Sequence, residues 1–172
     1  MLRKNLARLL VVTAATLGIA LGSVAPASAH YATWGWGDND QLCQVSSCIN
    51  TGNLVAMWQT ILYADQLLEV EDIDGQFGPQ TATETINWQR LYNGTRPAGK
   101  PAIDADGWVG TQSWTAAEYD RVYETYDATY NYYHYTGVNG WRVVNLKMNK
   151  STGVWYFQKP NSMTWYITSH GS

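Results

Sequence analysis

Six carboxylates, Glu69, Glu71, Asp72, Glu118, Asp120 and Glu124, are available in this chain to act as a general acid and base. Glycoside cleavage asks for no more than two such groups at a suitable separation. The sequence around them forms no hydrolase motif, and the segment that follows is too small for a hydrolase framework. No residue is therefore assigned a catalytic role. His134 and His170 have no companion ligand motif, whereas a zinc peptidase needs a full ligand set and its own general base. The pairs Asp38/Asp40, Asp72/Asp74 and Asp104/Asp106 miss the spacing of a helix–loop–helix calcium site, which requires further oxygen ligands and an acidic twelfth position. They read as turn-capping residues. Neither a metal nor a cofactor is expected.

Binding chemistry is better represented. Carboxamides bond to glycan hydroxyls and peptide groups, and indole faces stack on sugar rings. Gln59, Tyr63, Gln76, Trp88, Gln89, Trp108 and Gln112 are the candidate ligand-binding residues. Trp88 is the one of these whose position also suits a core.

What positions these side chains is an internal repeat. Asp74-Gly75-Gln76-Phe77-Gly78-Pro79-Gln80-Thr81 recurs as Asp106-Gly107-Trp108-Val109-Gly110-Thr111-Gln112-Ser113, followed by Trp114. In each copy the Asp bonds to backbone N–H groups of the turn and Gly75 or Gly107 takes a positive φ. Phe77 and Val109 drop into the core, and Gly78 and Gly110 are expected to let a helix start pack closely on its neighbour. Each copy opens a helix. One further helix precedes them, over about Leu54–Glu69, capped by Thr51 or Asn53, with Leu54, Trp58, Ile61, Leu62, Asp65 and Leu68 along one face. The second runs from Pro79 to about Tyr92 and the third from Thr111 to about Tyr126. Between the last two lies a Gly- and Pro-punctuated loop, Asn93 to Ala105, the longest of the module and a candidate functional edge.

The succession Trp58-Gln59, Asp74-to-Thr81, Trp88-Gln89 and Asp106-to-Trp114 resembles the peptidoglycan-binding domain of bacterial wall hydrolases. The resemblance covers about Asn53 to Ala117. It departs from the family where Glu84-Thr85 replace the usual Ala-Val, where Trp88 replaces a Phe, and in the long loop. The resemblance implies a three-helix orthogonal bundle in which Asp74, Gly75, Phe77, Gly78, Asp106, Gly107, Val109, Gly110 and Trp114 are the structural motif. It also implies a bacterial source and peptidoglycan, through its glycan or its peptide stem, as the partner.

The ends of the chain add context. Arg3, Lys4 and Arg8, an apolar run from Leu9 to Val24 and the ending Pro26-Ala27-Ser28-Ala29 read as a secretory signal peptide over residues 1–29. Its loss removes three basic charges and takes the net charge from −3 to about −6. An acidic mature chain argues against nucleic acid and against purely electrostatic polyanion binding, and favours neutral or zwitterionic ligands. No membrane contact is expected once the leader is cut. Cys43 and Cys48, the only cysteines, are expected to pair in an oxidising compartment and to pin an irregular arm over 30–52.

Beyond the helical module (53–119), the Tyr-rich region 120–172 reads as a β-extension. Strands are expected over Trp141–Asn149, Val154–Gln158 and Met163–Thr168, with Trp155 and Phe157 sharing a face with Trp141 and Val143 or with Trp165 and Ile167. Tyr130, Tyr132 and Tyr135 are candidates for a partly exposed platform. The fold class expected is thus mainly α: a three-helix orthogonal bundle with a small C-terminal antiparallel β-meander. The function expected is non-catalytic peptidoglycan binding outside the cell. A protein-interaction or inhibitor domain on the same scaffold is the alternative, and a small wall glycoside hydrolase a weaker one.

Overall fold

A computed structural model describes residues 35–137 and 140–168. The expected signal peptide and His170 lie outside the described residues. Three helices, α1 (Asn53–Ala64), α2 (Pro79–Thr95) and α3 (Thr111–Glu118), precede five strands. The strands are β1 (Arg121–Tyr126), β2 (Tyr130–Thr136), β3 (Val143–Asn149), β4 (Trp155–Gln158) and β5 (Trp165–Ile167). They form one antiparallel sheet in sequential order, β1-β2-β3-β4-β5.

This corrects the expected fold class: the molecule is not a mainly-α three-helix bundle with a small appended meander, because a five-stranded antiparallel sheet makes up its C-terminal part from Arg121 to Ile167. The two strands missed are β1 and β2. No Gly or Pro follows α3, so the helical pattern reads on to Tyr126, yet α3 stops at Glu118 and the chain turns into a strand at Arg121. Val122, Tyr123, Thr125 and Tyr126 are β-branched or aromatic and fit a pleated surface better than a helix. Asp127 then makes the hairpin: its Oδ1 accepts the N–H groups of Thr129 and Tyr130, both at 2.7 Å. In β2, alternate tyrosines face opposite sides, which places Tyr133 and Tyr135 toward the core.

Other boundaries shift for local reasons. α1 ends at Ala64 rather than Glu69, because Gln66 adopts φ +63° and the Leu67 N–H returns to the Leu62 carbonyl. Its N-cap is Gly52, with no side-chain cap from Thr51 or Asn53. In the sheet, Trp155 and Phe157 share the buried face with Leu146 and Met148, while Trp141 and Val143 are exposed. Trp165 and Ile167 sit opposite Gln158 and Tyr156, on the other face of the sheet from Trp155 and Phe157. Tyr135 is fully buried, so it is no part of an exposed platform.

One core runs through helices and sheet. Its spine is aromatic, with ring centroids 4.9 Å apart for Trp88–Trp58, 5.3 Å for Trp58–Trp114, 6.5 Å for Trp114–Trp36 and 5.8 Å for Trp36–Trp155. These edge-to-face contacts add to the burial of the rings themselves. Buried Asp65, the C-cap of α1, ties the two halves together: its Oδ2 accepts the Trp88 indole N–H at 2.8 Å and the Tyr135 hydroxyl at 2.6 Å. Among the described residues no helix is long and apolar enough to cross a membrane.

The N-terminal arm is a clamp on both Asp-Gly turns. Leu42 exchanges two backbone hydrogen bonds with Val109, each 3.0 Å. A few residues on, the Phe77 N–H bonds to the Asn50 carbonyl at 2.7 Å and the Gly52 N–H to the Gly75 carbonyl at 2.8 Å. The expected Cys43–Cys48 disulfide is present and closes the short loop between these two pairings.

Candidate binding edge

The two turns are built alike down to single atoms. At the first, the Gln59 amide donates to Asp74 Oδ1 (2.9 Å), the Gln76 carbonyl (3.0 Å) and Thr81 Oγ1 (3.1 Å), and its oxygen accepts the Gly75 N–H (2.7 Å). At the second, the Gln89 amide donates to Asp106 Oδ1 (3.2 Å), the Trp108 carbonyl (2.8 Å) and Ser113 Oγ (3.1 Å), and accepts the Gly107 N–H (3.0 Å). Asp74 and Asp106 also accept the Gln76 and Trp108 N–H groups. Both glutamines are 1 % exposed. They hold the turns and are not free for a ligand. Trp88 is likewise buried, its N–H committed to Asp65. Tyr63, half-buried, lies under the Arg142 guanidinium, 4.4 Å from its ring centre. Three of the seven candidates remain displayed: Gln76, Trp108 and Gln112.

The motif residues behave as turn architecture. Gly75 (φ +75°) and Gly107 (φ +79°) need their glycines. A Cβ at Gly107 would meet the Ala82 carbonyl and Ile86 Cγ1, both at 3.1 Å. Phe77, Val109 and Trp114 are buried. The close-packing role expected of Gly78 and Gly110 is not seen: a Cβ at Gly78 meets nothing within 4 Å, and one at Gly110 only the tip of Gln41, at 3.8 Å. Both take ordinary extended dihedrals as N-caps, a conformation open to any residue.

Beside each turn lies a solvent-open hollow whose walls are related by the repeat. The first, about 280 Å³, is lined by Asp72, Asp74, Gln76, Pro79, Gln80 and Thr81 among others. The second, about 220 Å³, is lined at the matching positions by Asp104, Asp106, Trp108, Thr111, Gln112 and Ser113. Trp108, 43 % exposed, also walls a further hollow of about 310 Å³ with Gln44, Pro79 and Ile86. Thr111 and Gln112 in turn border an apolar hollow of about 240 Å³ floored by Tyr92, Ile103 and Ala116. The second turn thus has a continuous edge of polar and apolar depressions with an indole at its centre. The loop expected from Asn93 begins only at Arg96, because α2 runs on to Thr95; it forms one end of that edge and is held in place. Asn93 bonds to both the N–H and the carbonyl of Ile103, at 2.9 and 2.8 Å, and the Lys100 ammonium sits 3.7 Å from the Tyr119 ring centre.

The carboxylates considered for acid–base work are spread through the structure. Glu69 pairs with Arg142, Glu118 with Arg121 and the Trp36 N–H, and Glu124 Oε1 lies 2.7 Å from His134 Nδ1. Asp72 accepts the Glu69 N–H. Asp120 is pushed up to about 6, first by burial and then by the charge of Asp65, but it borders none of the hollows at the two turns. Glu71, Asp72 and Asp74 in the first hollow and Asp104 and Asp106 in the second are the carboxylates on the edge itself. Among the described residues no group of three His, Cys, Asp or Glu side chains is arranged to hold a metal ion. What the edge can do chemically is donate and accept hydrogen bonds and stack an indole.

Sequence reasoning passed over Gln80 and Gln44. Gln80 was legible, since it occupies in the first copy the place of Gln112 in the second. Gln44 was not, because only the disulfide loop brings it beside Trp108. Comparison of the chain with protein-family models, curated proteins and solved structures finds no match.

Proposed function

We propose that this is an exported protein that binds peptidoglycan, without cutting it, along the edge centred on Trp108. The observation that carries the reading is an exposed indole with hollows on two of its sides, fixed by a turn whose Gly107 and Trp108 N–H groups and Trp108 carbonyl are all hydrogen-bonded by side chains. An indole face covers the apolar face of a sugar ring, and the carboxamide and carboxylate groups beside it, Gln112, Asp104 and Asp106, reach its hydroxyls and amides. The sequence resemblance to wall-hydrolase binding domains supports the same ligand, and the signal peptide and the disulfide suit a protein that works outside the cell. Affinity comes from repeated weak contacts along a polymer.

Co-sedimentation with purified, protein-free peptidoglycan tests the proposal. The protein pellets above an albumin control, and Trp108→Ala lowers the pelleted fraction while its unfolding midpoint is unchanged. Wild-type protein that stays in the supernatant overturns it. Soluble muropeptides released in the same tube would instead support the hydrolase reading. A protein-interaction or inhibitor role draws on a different observation: β1 is an edge strand with Val122, Tyr123 and Tyr126 exposed, an arrangement open to strand addition by a partner.

A further inference from the structure

The face of the sheet turned away from the core carries an arrangement that wall binding at Trp108 leaves unused. Lys147, in the central strand β3, stands opposite Tyr132 on one side and Tyr156 on the other. Its ammonium lies 4.1 Å from the ring centre of Tyr130, 4.5 Å from that of Trp165 and 5.3 Å from that of Tyr156. The rings touch one another around it, with Tyr130–Tyr132 and Tyr132–Trp165 centroids 6.3 Å apart and Tyr130–Tyr156 5.7 Å. All five side chains are half-exposed. We propose that this face is a second binding site, for a saccharide that bears a carboxylate, with Lys147 as the anion contact and the four rings as the surface on which the sugar packs.

The argument is one of unmatched charge. An ammonium has three donors, and aromatic faces stabilise its charge without supplying an oxygen acceptor for any of them. No hydrogen bond or ion pair engages the Lys147 ammonium among the described residues. Its pKa is lowered by burial, against an opposing pull from Asp127, so the group has already surrendered part of its water. That acidic group is spent elsewhere. Asp127, the carboxylate whose charge reaches Lys147, accepts the N–H groups of Thr129 and Tyr130 and the Tyr132 hydroxyl, all at 2.7 Å. The other nearby cation, Lys150, is turned aside, bonding to the Asp127 carbonyl and lying over Tyr126. A single free positive centre within an apolar rim matches a ligand with one negative group and apolar ring faces. A dense polyanion fits less well, because the chain as a whole is acidic.

Isothermal titration calorimetry of the protein with trigalacturonate, and with the same trisaccharide methyl-esterified at its carboxyls, decides the matter. The acid form binds saturably, the ester at least about tenfold more weakly, the size of one charge-assisted hydrogen bond. Lys147→Met, which keeps the apolar stem, binds acid and ester alike, Trp165→Ala weakens both, and Trp108→Ala changes neither. That last outcome separates this site from the peptidoglycan edge, so either reading can fail alone. Absence of binding, equal binding of acid and ester by the wild type, or an unaltered Lys147→Met variant overturns the proposal. So does self-association of the protein that Trp165→Ala abolishes, since the occupant would then be a second copy. Should Lys147→Met not fold, the wild type decides alone: its preference for acid over ester must shrink as salt is raised to 1 M, where screening reaches ~3 Å, and a preference that salt leaves unchanged overturns the proposal.

Discussion

The two Asp-Gly turns share one internal scaffold and present different surfaces. Gln59 and Gln89 make the same four contacts with their turns, and Thr81 and Ser113 receive them at matching places. Outside, the first copy displays Gln76 and Pro79 where the second displays Trp108 and Thr111. The lesson is that the repeat preserves how a turn is held, while the exposed positions are free to differ. Ligand binding, if it follows the indole, belongs mainly to the second copy.

The comparison breaks most readily at the pins. Gln59→Leu and Gln89→Leu should each destabilise the protein by about 2–4 kcal/mol, since each strands a buried glycine N–H and removes the two N–H donors that three oxygens share. Guanidinium unfolding measures this, and equal losses are expected from the two copies. A Gln89→Leu protein of unchanged stability that no longer pellets with peptidoglycan would return that glutamine to the ligand surface.

Next in size are the glycines. Gly75→Ala and Gly107→Ala force a side chain into positive φ, about 1–3 kcal/mol each. The second should lie at the upper end, because its Cβ meets Ala82 and Ile86 together, whereas Gly75 has one close neighbour, the Gly52 carbonyl at 3.2 Å. Thermal unfolding of the pair gives the difference directly.

Surface exchange sharpens the contrast further. Trp108→Ala should weaken peptidoglycan binding about tenfold, or 1.4 kcal/mol, with little effect on stability. Gln76→Ala should weaken it less, and Gln76→Trp should strengthen it by giving the first hollow its own indole. A Gln76→Trp protein that binds no better would mean that the two hollows do not meet the same polymer.

The smallest effect lies where the copies diverge in length. Seven residues after Thr81 the long α2 carries Trp88, whereas seven after Ser113 the chain has left α3 and reaches Asp120, close enough to Asp65 to feel its charge. Asp120 titrates at about 6 in the folded protein, above its ordinary 3.8. Its contribution to stability is therefore fully present below pH 3.8 and lost as pH rises through 6. Asp120→Asn should remove that decline and leave the variant more stable at pH 7 by about 1 kcal/mol, after allowance for solvent screening. Unfolding measured at pH 4 and pH 7 checks the sign.

Much of this is legible in the sequence. The turns, their glycines, the starts of α2 and α3 and the disulfide follow from residues whose conformational demands are local. The candidate site was legible in part. Gln76, Trp108 and Gln112 carry ligand-binding chemistry and lie at the surface, but Gln59, Gln89 and Trp88, whose side chains offer the same chemistry, point inward. A carboxamide that can bond a sugar can equally bond a turn, and side-chain type does not distinguish the two. The sheet was half legible. β3, β4 and β5 are bounded by turn sequences, whereas β1 follows α3 with no Gly or Pro between them.

What the sequence determined by itself is the duplicated turn, because a positive φ, an Asp side chain bonding two residues ahead and a proline at a helix start act over a few residues. What only the tertiary structure decided is which amides are buried in the turns and which reach the surface, that Leu42 and Asn50 bind the two turns together, and that Tyr135 reaches Asp65 across 70 residues. Those outcomes depend on contacts between distant segments, whose geometry is set by filling one aromatic core.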